Sequence, residues 1–305
     1  MQDIPRRSWL MVAILGFVWG TNFSLIEVAL TGFTPFWLAT LRLTLAGIIT
    51  GVLWQARGGR LTLDPEDDRR TGVITYLWLG AIGSAMPFLL LGWGQQHVTS
   101  SFAGTAMAAV PLFVLPLAHV FVPGERMHLR RVIGVLMGVA GVWVLMGGGP
   151  LSGSGSAMER WGQLACLGVA ACYAVNSISI RRLPPHDPIG LTTVMALTAA
   201  LTCLPLALLF EPLPTFDVGL KPLLALLSIA VVSTAAMNLL RVLVIRDAGP
   251  TFLTLVNYQV PIWSVLAGSL LLAEPLPASL LGALALILAG VALSQVGALK
   301  RLFTG

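Results

Sequence analysis

A chain of 305 residues that is 56% hydrophobic and only 10% charged, with strongly positive mean hydropathy, has too little polar surface to cover a core in water, so its solvent is the lipid bilayer. The formal charge of +5 is spread in small groups between apolar runs from Arg6 to Arg301, which leaves no basic face to track phosphates and excludes nucleic acid as a partner. Cys166, Cys172 and Cys203 all lie inside apolar runs, which argues against a disulfide framework and against a zinc site.

About 20 apolar residues cross the hydrocarbon as a helix, and ten segments have that length, predicting an all-α membrane protein. The first, Trp9 to Leu30, follows Arg6 and Arg7 but is too long for a signal peptide and lacks a small-residue cleavage site, so it reads as a retained span. It carries Trp19, Asn22 and Glu27. Thr34 to Trp54 carries Arg42, Gly72 to Trp93 carries Ser84, and Phe102 to Val122 carries Pro111; Leu129 to Gly147 completes a first group of five. A Gly/Ser-rich stretch follows, flexible by composition. Beyond it come Trp161 to Ile180 with Tyr173 and Asn176, Ile189 to Phe210, Leu223 to Ile245 with Asn238 and Arg241, Thr251 to Ala273 with Asn257, Tyr258, Gln259 and Pro261, and Ala278 to Val296.

The division expected is a first five-helix repeat over 1–148, a linker over 149–158 and a second repeat over 159–305. Trp19-Gly20-Thr21-Asn22 aligns with Tyr173-Ala174-Val175-Asn176, Phe102 through Pro111 with Phe252 through Pro261, Gly124-Glu125 with Ala273-Glu274, and Ala140-Gly141-Val142 with Ala289-Gly290-Val291, all at offsets of 149 to 154 residues. Five is odd, so the second repeat is upside down relative to the first: an inverted repeat. With the N-terminus in the cytoplasm, 14 basic residues fall inside and only Arg160 and Lys221, two in all, fall outside. That bias predicts cytoplasmic termini.

The first two spans read WGTNFSLIEVALTGFTPFWLATLRLTLAG, the fourth ends in VPLFVLPLAHVFVPGE, and the ninth ends in a fainter copy, VPIWSVLAGSLLLAE. Together these resemble the EamA-type transporters of the drug/metabolite transporter superfamily, over nearly the whole chain, and the bacterial aromatic amino-acid exporters are the subgroup most alike in look. The resemblance rests on Trp19 to Phe23, Arg42, the mid-helix Pro111 and Pro261, and the helix-ending Glu125 and Glu274. It implies a central cavity lined by helices 1, 3, 4, 6, 8 and 9, in a protein of the bacterial inner membrane. The chain departs from the pattern at Glu27, where a Lys is common in the family, and at Ala174, where the first repeat has Gly20.

Ionisable groups within lipid are costly unless paired or hydrated. Only Thr31, Gly32 and Phe33 connect the first two spans, which places Glu27 within reach of Arg42 as a structural or coupling pair; Arg241, near a helix end, is expected to snorkel. The candidate binding residues are Trp19, Asn22, Ser84, Tyr173, Asn176, Asn238, Asn257, Tyr258 and Gln259, neutral or aromatic groups within about two turns of mid-membrane, and interhelical hydrogen bonding is the competing role for each. Pro111 and Pro261 are the candidate hinges. No metal, cofactor or obligate protein partner is expected, and no catalytic cluster points to an enzyme. The function expected is a secondary transporter that exports amino acids or similar zwitterionic metabolites, aromatic ones first, by alternating access. The rivals are a flippase for lipid-linked solutes and an efflux protein for drug-like solutes, both on the same fold.

Overall fold

The computed structural model describes residues 5–59, 69–125, 127–147, 156–181, 183, 187–214 and 217–304, and among them every regular element is a helix. Ten helical spans follow one another. They are α1 (Arg6–Leu30), α2 (Pro35–Ala56), α3 (Arg69–Gly80, Ala81–Ala85 and Met86–Gly94), α4 (Ser100–Met107 and Val110–Phe121), α5 (Leu129–Leu145), α6 (Ala157–Arg181), α7 (Pro188–Phe210), α8 (from Leu220 to residue 248), α9 (from residue 250, with its main part Val256–Leu272) and α10 (Ala278–Thr304). Most of the expected linker lies outside the described residues, and its last two positions already belong to α6.

Four of the spans are not uniform α-helix. Ala81–Ala85 in α3 and Ser228–Ala236 in α8 are π-helical, a wide turn that is rare and tends to mark functional sites. They occupy matching places in the two repeats. α4 breaks at Ala108 and Ala109 and restarts with Pro111 in its first turn, where the missing N–H costs nothing. α9 breaks at Thr254 and Leu255, six residues before Pro261, which sits inside a continuous helix. The distortion expected at Pro261 is therefore displaced toward the start of the span. α8 passes into α9 through Gly249 alone, whose φ of 84° reverses the chain.

The two halves interleave. α2 packs along α7, α5 along α10, and α4 against α9, each with its counterpart; α1 against α9 is mirrored by α6 against α4, and α3 against α6 by α8 against α1. This is the pairing that a twofold axis in the membrane plane produces from an inverted repeat. The α5–α10 seam is tight at Gly134 and Gly290, where a β-carbon added to Gly290 would stand 2.5 Å from the Gly134 carbonyl oxygen. Small residues replace hydrophobic drive between helices in lipid. On the outside, Leu209, Val120 and Leu270 are 76%, 71% and 80% exposed, a surface that suits acyl chains.

One end of the bundle is fastened by carboxylates at helix N-termini. Glu274, just past α9, accepts from the backbone N–H of Ser100 at 2.7 Å and of Ser101 at 2.9 Å, and from the Ser101 hydroxyl. Glu211, at the end of α7, accepts from the N–H groups of Phe36 at 3.0 Å and Trp37 at 3.1 Å and from the Thr34 hydroxyl. Each satisfies donors that a helix leaves open in its first turn and places negative charge at the positive end of the helix dipole.

Candidate functional site

A cavity of about 500 Å³ lies between the two halves, with side chains from α1, α2, α3, α4, α6, α7, α8, α9 and α10 in its wall. Its size suits a small solute. Seven of the nine candidate binding residues line it: Trp19, Asn22, Ser84, Tyr173, Asn176, Asn238 and Asn257. Tyr258 and Gln259 do not. The hydroxyl of Tyr258 donates to Gln295 Oε1 at 3.4 Å, and Gln259 packs on Gly16 of α1, where an added β-carbon would lie 2.6 Å from the Gln259 Cβ. Successive helical residues point about 100° apart, so Asn257 facing the cavity turns its two neighbours toward helices. Pro111 lines the cavity and Pro261 does not.

The π-helical run of α8 builds one wall. Its widened turn lets the Thr234 hydroxyl donate to the Ile229 carbonyl five residues back, at 2.8 Å. Thr234 Oγ1 also accepts from Arg42 Nε at 2.8 Å, while the Ser233 carbonyl accepts from Trp19 Nε1 at 3.0 Å. Asn238 Nδ2 donates to the Thr234 carbonyl at 2.7 Å. These contacts tie α1 and α2 to α8 across the two repeats. The opposite wall has the π-helical turn of α3, where Gly83 makes room for Asn176: a β-carbon at Gly83 would fall 2.5 Å from Asn176 Oδ1.

Arg42 and Glu27 do not form the expected pair. The guanidinium of Arg42 lies 4.0 Å over the ring of Phe88, in cation–π geometry, and lines the cavity. Glu27 lies 3.5 Å from Gln95 Nε2, on the side fastened by Glu274. The reason is packing: α2 barely touches α1 and runs along α7 and the π-helical part of α8, which carries Arg42 away from its neighbour in sequence. Arg241 lines the cavity as well instead of leaving it for the interface. The helices that the resemblance assigned to the lining are joined by α2, α7 and α10, through Arg42, Thr192, Met195 and Gln295 among others.

The cavity wall extends from mid-bundle toward the end that bears the chain termini, through Thr50, Ile180, Thr192 and Gln295. At the other end the helices close. Gln95, Ser100 and Ser101 are 2%, 0% and 0% exposed, Gln95 Nε2 donates to the Phe23 carbonyl at 2.9 Å, and Glu274 holds the start of α4. At the terminal end, Glu125 instead takes Arg131 of α5 at 3.1 Å and Arg181 of α6 at 3.2 Å. Glu125 and Glu274 are repeat counterparts in unlike surroundings. The cavity thus has one closed end and runs from mid-bundle toward the other.

Known proteins resemble this chain in sequence and in fold. The sequence model of the EamA-like transporter family matches residues 7–147 and 160–295. The uncharacterized inner membrane transporter YedA of Escherichia coli (strain K12) is 28% identical over 289 residues, which is 94% of this chain and 89% of that protein. The aromatic amino acid exporter YddG of Ancylobacter novellus is 27% identical over 211 residues, 68% of this chain and 70% of that protein. A solved crystal structure superposes with a TM-score of 0.66 at 22% identity, covering 96% of this chain and 98% of its own, which is a likeness of fold.

Proposed function

We propose that this chain, which belongs to the EamA-like transporter family, exports amino acids or similar small zwitterionic metabolites, aromatic ones foremost, across the bacterial inner membrane by alternating access. The observation that carries this reading is the cavity itself: neutral amides and hydroxyls from both halves, beside Trp19, Phe88 and Tyr173, in a volume of about 500 Å³. A solute with an amino group and a carboxylate needs several donors and acceptors in an otherwise apolar chamber. The names of two relatives, the YddG exporter and a probable terminal-alkyne amino-acid exporter of Streptantibioticus cattleyicolor that is 29% identical over 142 residues, agree with it.

The 14 to 2 bias of basic residues supports cytoplasmic termini, and on that orientation the cavity opens inward and the end fastened by Glu274 faces outward. Export then requires the fastened end to part and the terminal end to close, with α3, α4, α8 and α9 rocking around a site at mid-membrane. Asn22 and Asn176, matching residues of the two repeats, are the central binding amides. Radiolabelled aromatic amino acids should exchange into proteoliposomes of the wild-type chain. Asn22→Ala or Asn176→Ala should cut that exchange about tenfold, equivalent to about 1.4 kcal/mol, with membrane expression near wild type. Full exchange by both variants would overturn the site assignment, and wild-type protein inert toward all amino acids would overturn the substrate class.

A further inference from the structure

Among the described residues the cavity wall holds two guanidinium groups, Arg42 and Arg241, and no carboxylate. Arg42 is only 6% exposed. Its Nε is used by Thr234 and one face of its plane by Phe88. Its two terminal nitrogens make no hydrogen bond, and none of the ion pairs formed by the described residues includes it. A buried cation without a counterion is costly at this depth, and the ring and the threonine fix the guanidinium so that its outer edge is held ready. That edge, a planar fork of N–H donors, matches the two oxygens of a carboxylate.

The same wall holds the complementary half. The side-chain carbonyl oxygens of Asn22 and Asn176 are buried with no hydrogen-bond partner, and both residues line the cavity. Neither oxygen meets open space where it stands, Asn176 Oδ1 lying against Gly83 of α3, so receiving the N–H groups of an ammonium takes a turn of each amide toward the cavity. With no acid nearby, that ammonium gains dipoles and no countercharge. Arg241, in the same wall, adds positive potential that enriches anions in the cleft.

We infer that Arg42 seats the carboxylate of the transported solute while Asn22 and Asn176 receive its amino group, so that the cavity selects carboxylates and rejects amines and other net cations. This deepens the reading of the cavity as the transport site and rests on it. It also sets the protein apart from an exporter of cationic drugs, which would meet two positive charges and no negative one.

Three probes on one scaffold test the assignment: L-phenylalanine, its methyl ester, which lacks the carboxylate, and 3-phenylpropionate, which lacks the amine. The readout is the thermal-unfolding midpoint of the purified full chain in detergent, for wild type, Arg42→Gln and Arg42→Lys. In wild type the two carboxylates should raise the midpoint, and the ester should need at least roughly tenfold more to match phenylalanine. Arg42→Gln should erase that preference and Arg42→Lys should keep part of it. An ester as good as phenylalanine on the wild-type protein would overturn the carboxylate seat and leave the amino-acid reading standing. Stabilisation by 3-phenylpropionate alone would keep the seat and remove the amino acid. Silence from all three would overturn both. The wild-type comparison decides even where Arg42→Gln fails to fold.

Discussion

Replacing Glu274 by glutamine removes the fastening of the closed end at almost constant shape. The carboxylate accepts two backbone N–H bonds, from Ser100 at 2.7 Å and Ser101 at 2.9 Å, and one from the Ser101 hydroxyl. A glutamine keeps one carbonyl oxygen and turns its NH₂ toward donors. Hydrogen bonds to a charged group contribute about 1.5–3 kcal/mol each, and the charge at the helix start adds about 0.3–1 kcal/mol. Since one bond survives and solvent replaces part of another, the closed end loses about 2 kcal/mol, which shifts the access equilibrium roughly thirtyfold toward opening. Ser24, buried and 3.4 Å from the Ser100 hydroxyl, reports on that opening. In a background with Cys166, Cys172 and Cys203 replaced, Ser24→Cys should react with an impermeant maleimide about ten to a hundred times faster when Glu274→Gln is added. An unchanged labelling rate in a protein of unchanged melting temperature would refute the role of Glu274 as a fastening.

Other consequences are open to measurement. Glu125 is held below its ordinary value of 4.5, chiefly by the hydrogen bond from Arg131 and further by Arg181, against some burial. Because folding lowers this pKa, its contribution is present above about pH 4.5 and is lost as the pH falls below that and the carboxyl protonates. The melting temperature of wild type should therefore exceed that of Glu125→Gln near neutral pH and converge with it in acid, and a pH-independent difference would count against the pairing. Gly290→Leu should cost about 1–3 kcal/mol through overpacking of the α5–α10 seam, read as a lower melting temperature with probe affinity retained in the folded fraction. Weakened probe binding at full stability would show that this seam is part of the site. A C-terminal fluorescent fusion should be bright and a C-terminal alkaline phosphatase fusion inactive; an active phosphatase would reverse the orientation.

Hydropathy made the ten spans legible, because crossing lipid demands a length and composition that few other structures share. The inverted order was legible too, since an odd number of spans per repeat leaves no other arrangement. Finer features were hidden for identifiable reasons. The π-helical runs Ala81–Ala85 and Ser228–Ala236 contain no proline, and apolar content does not change when a turn widens. Only Ser233-Thr234, a polar pair within an apolar span, hinted at the wall they build. Nearness in sequence points Arg42 toward Glu27, whereas helix packing sets it against Thr234 of α8, 192 residues away. Asn257, Tyr258 and Gln259 looked equivalent in depth, but consecutive positions cannot share a helix face, and only the first reached the cavity. The fastenings by Glu211 and Glu274 bridge more than 170 residues, a separation over which a single sequence offers no pairing signal.

Those two carboxylates also say how the molecule is put together. Both belong to the second repeat, and both complete helix starts of the first, at α2 and α4. In assembly terms the chain is a heterodimer carried on one string, and the first repeat is the dependent subunit. Made alone, residues 1–148 would present two helix starts stripped of their carboxylate partners and the bare faces of α2, α4 and α5 to lipid, and the membrane's quality-control proteases would remove them. Made beside residues 149–305 as a separate polypeptide, they should be rescued by their partner. The string serves stoichiometry and effective concentration, while the reason for the two halves to stay together is written in their contacts.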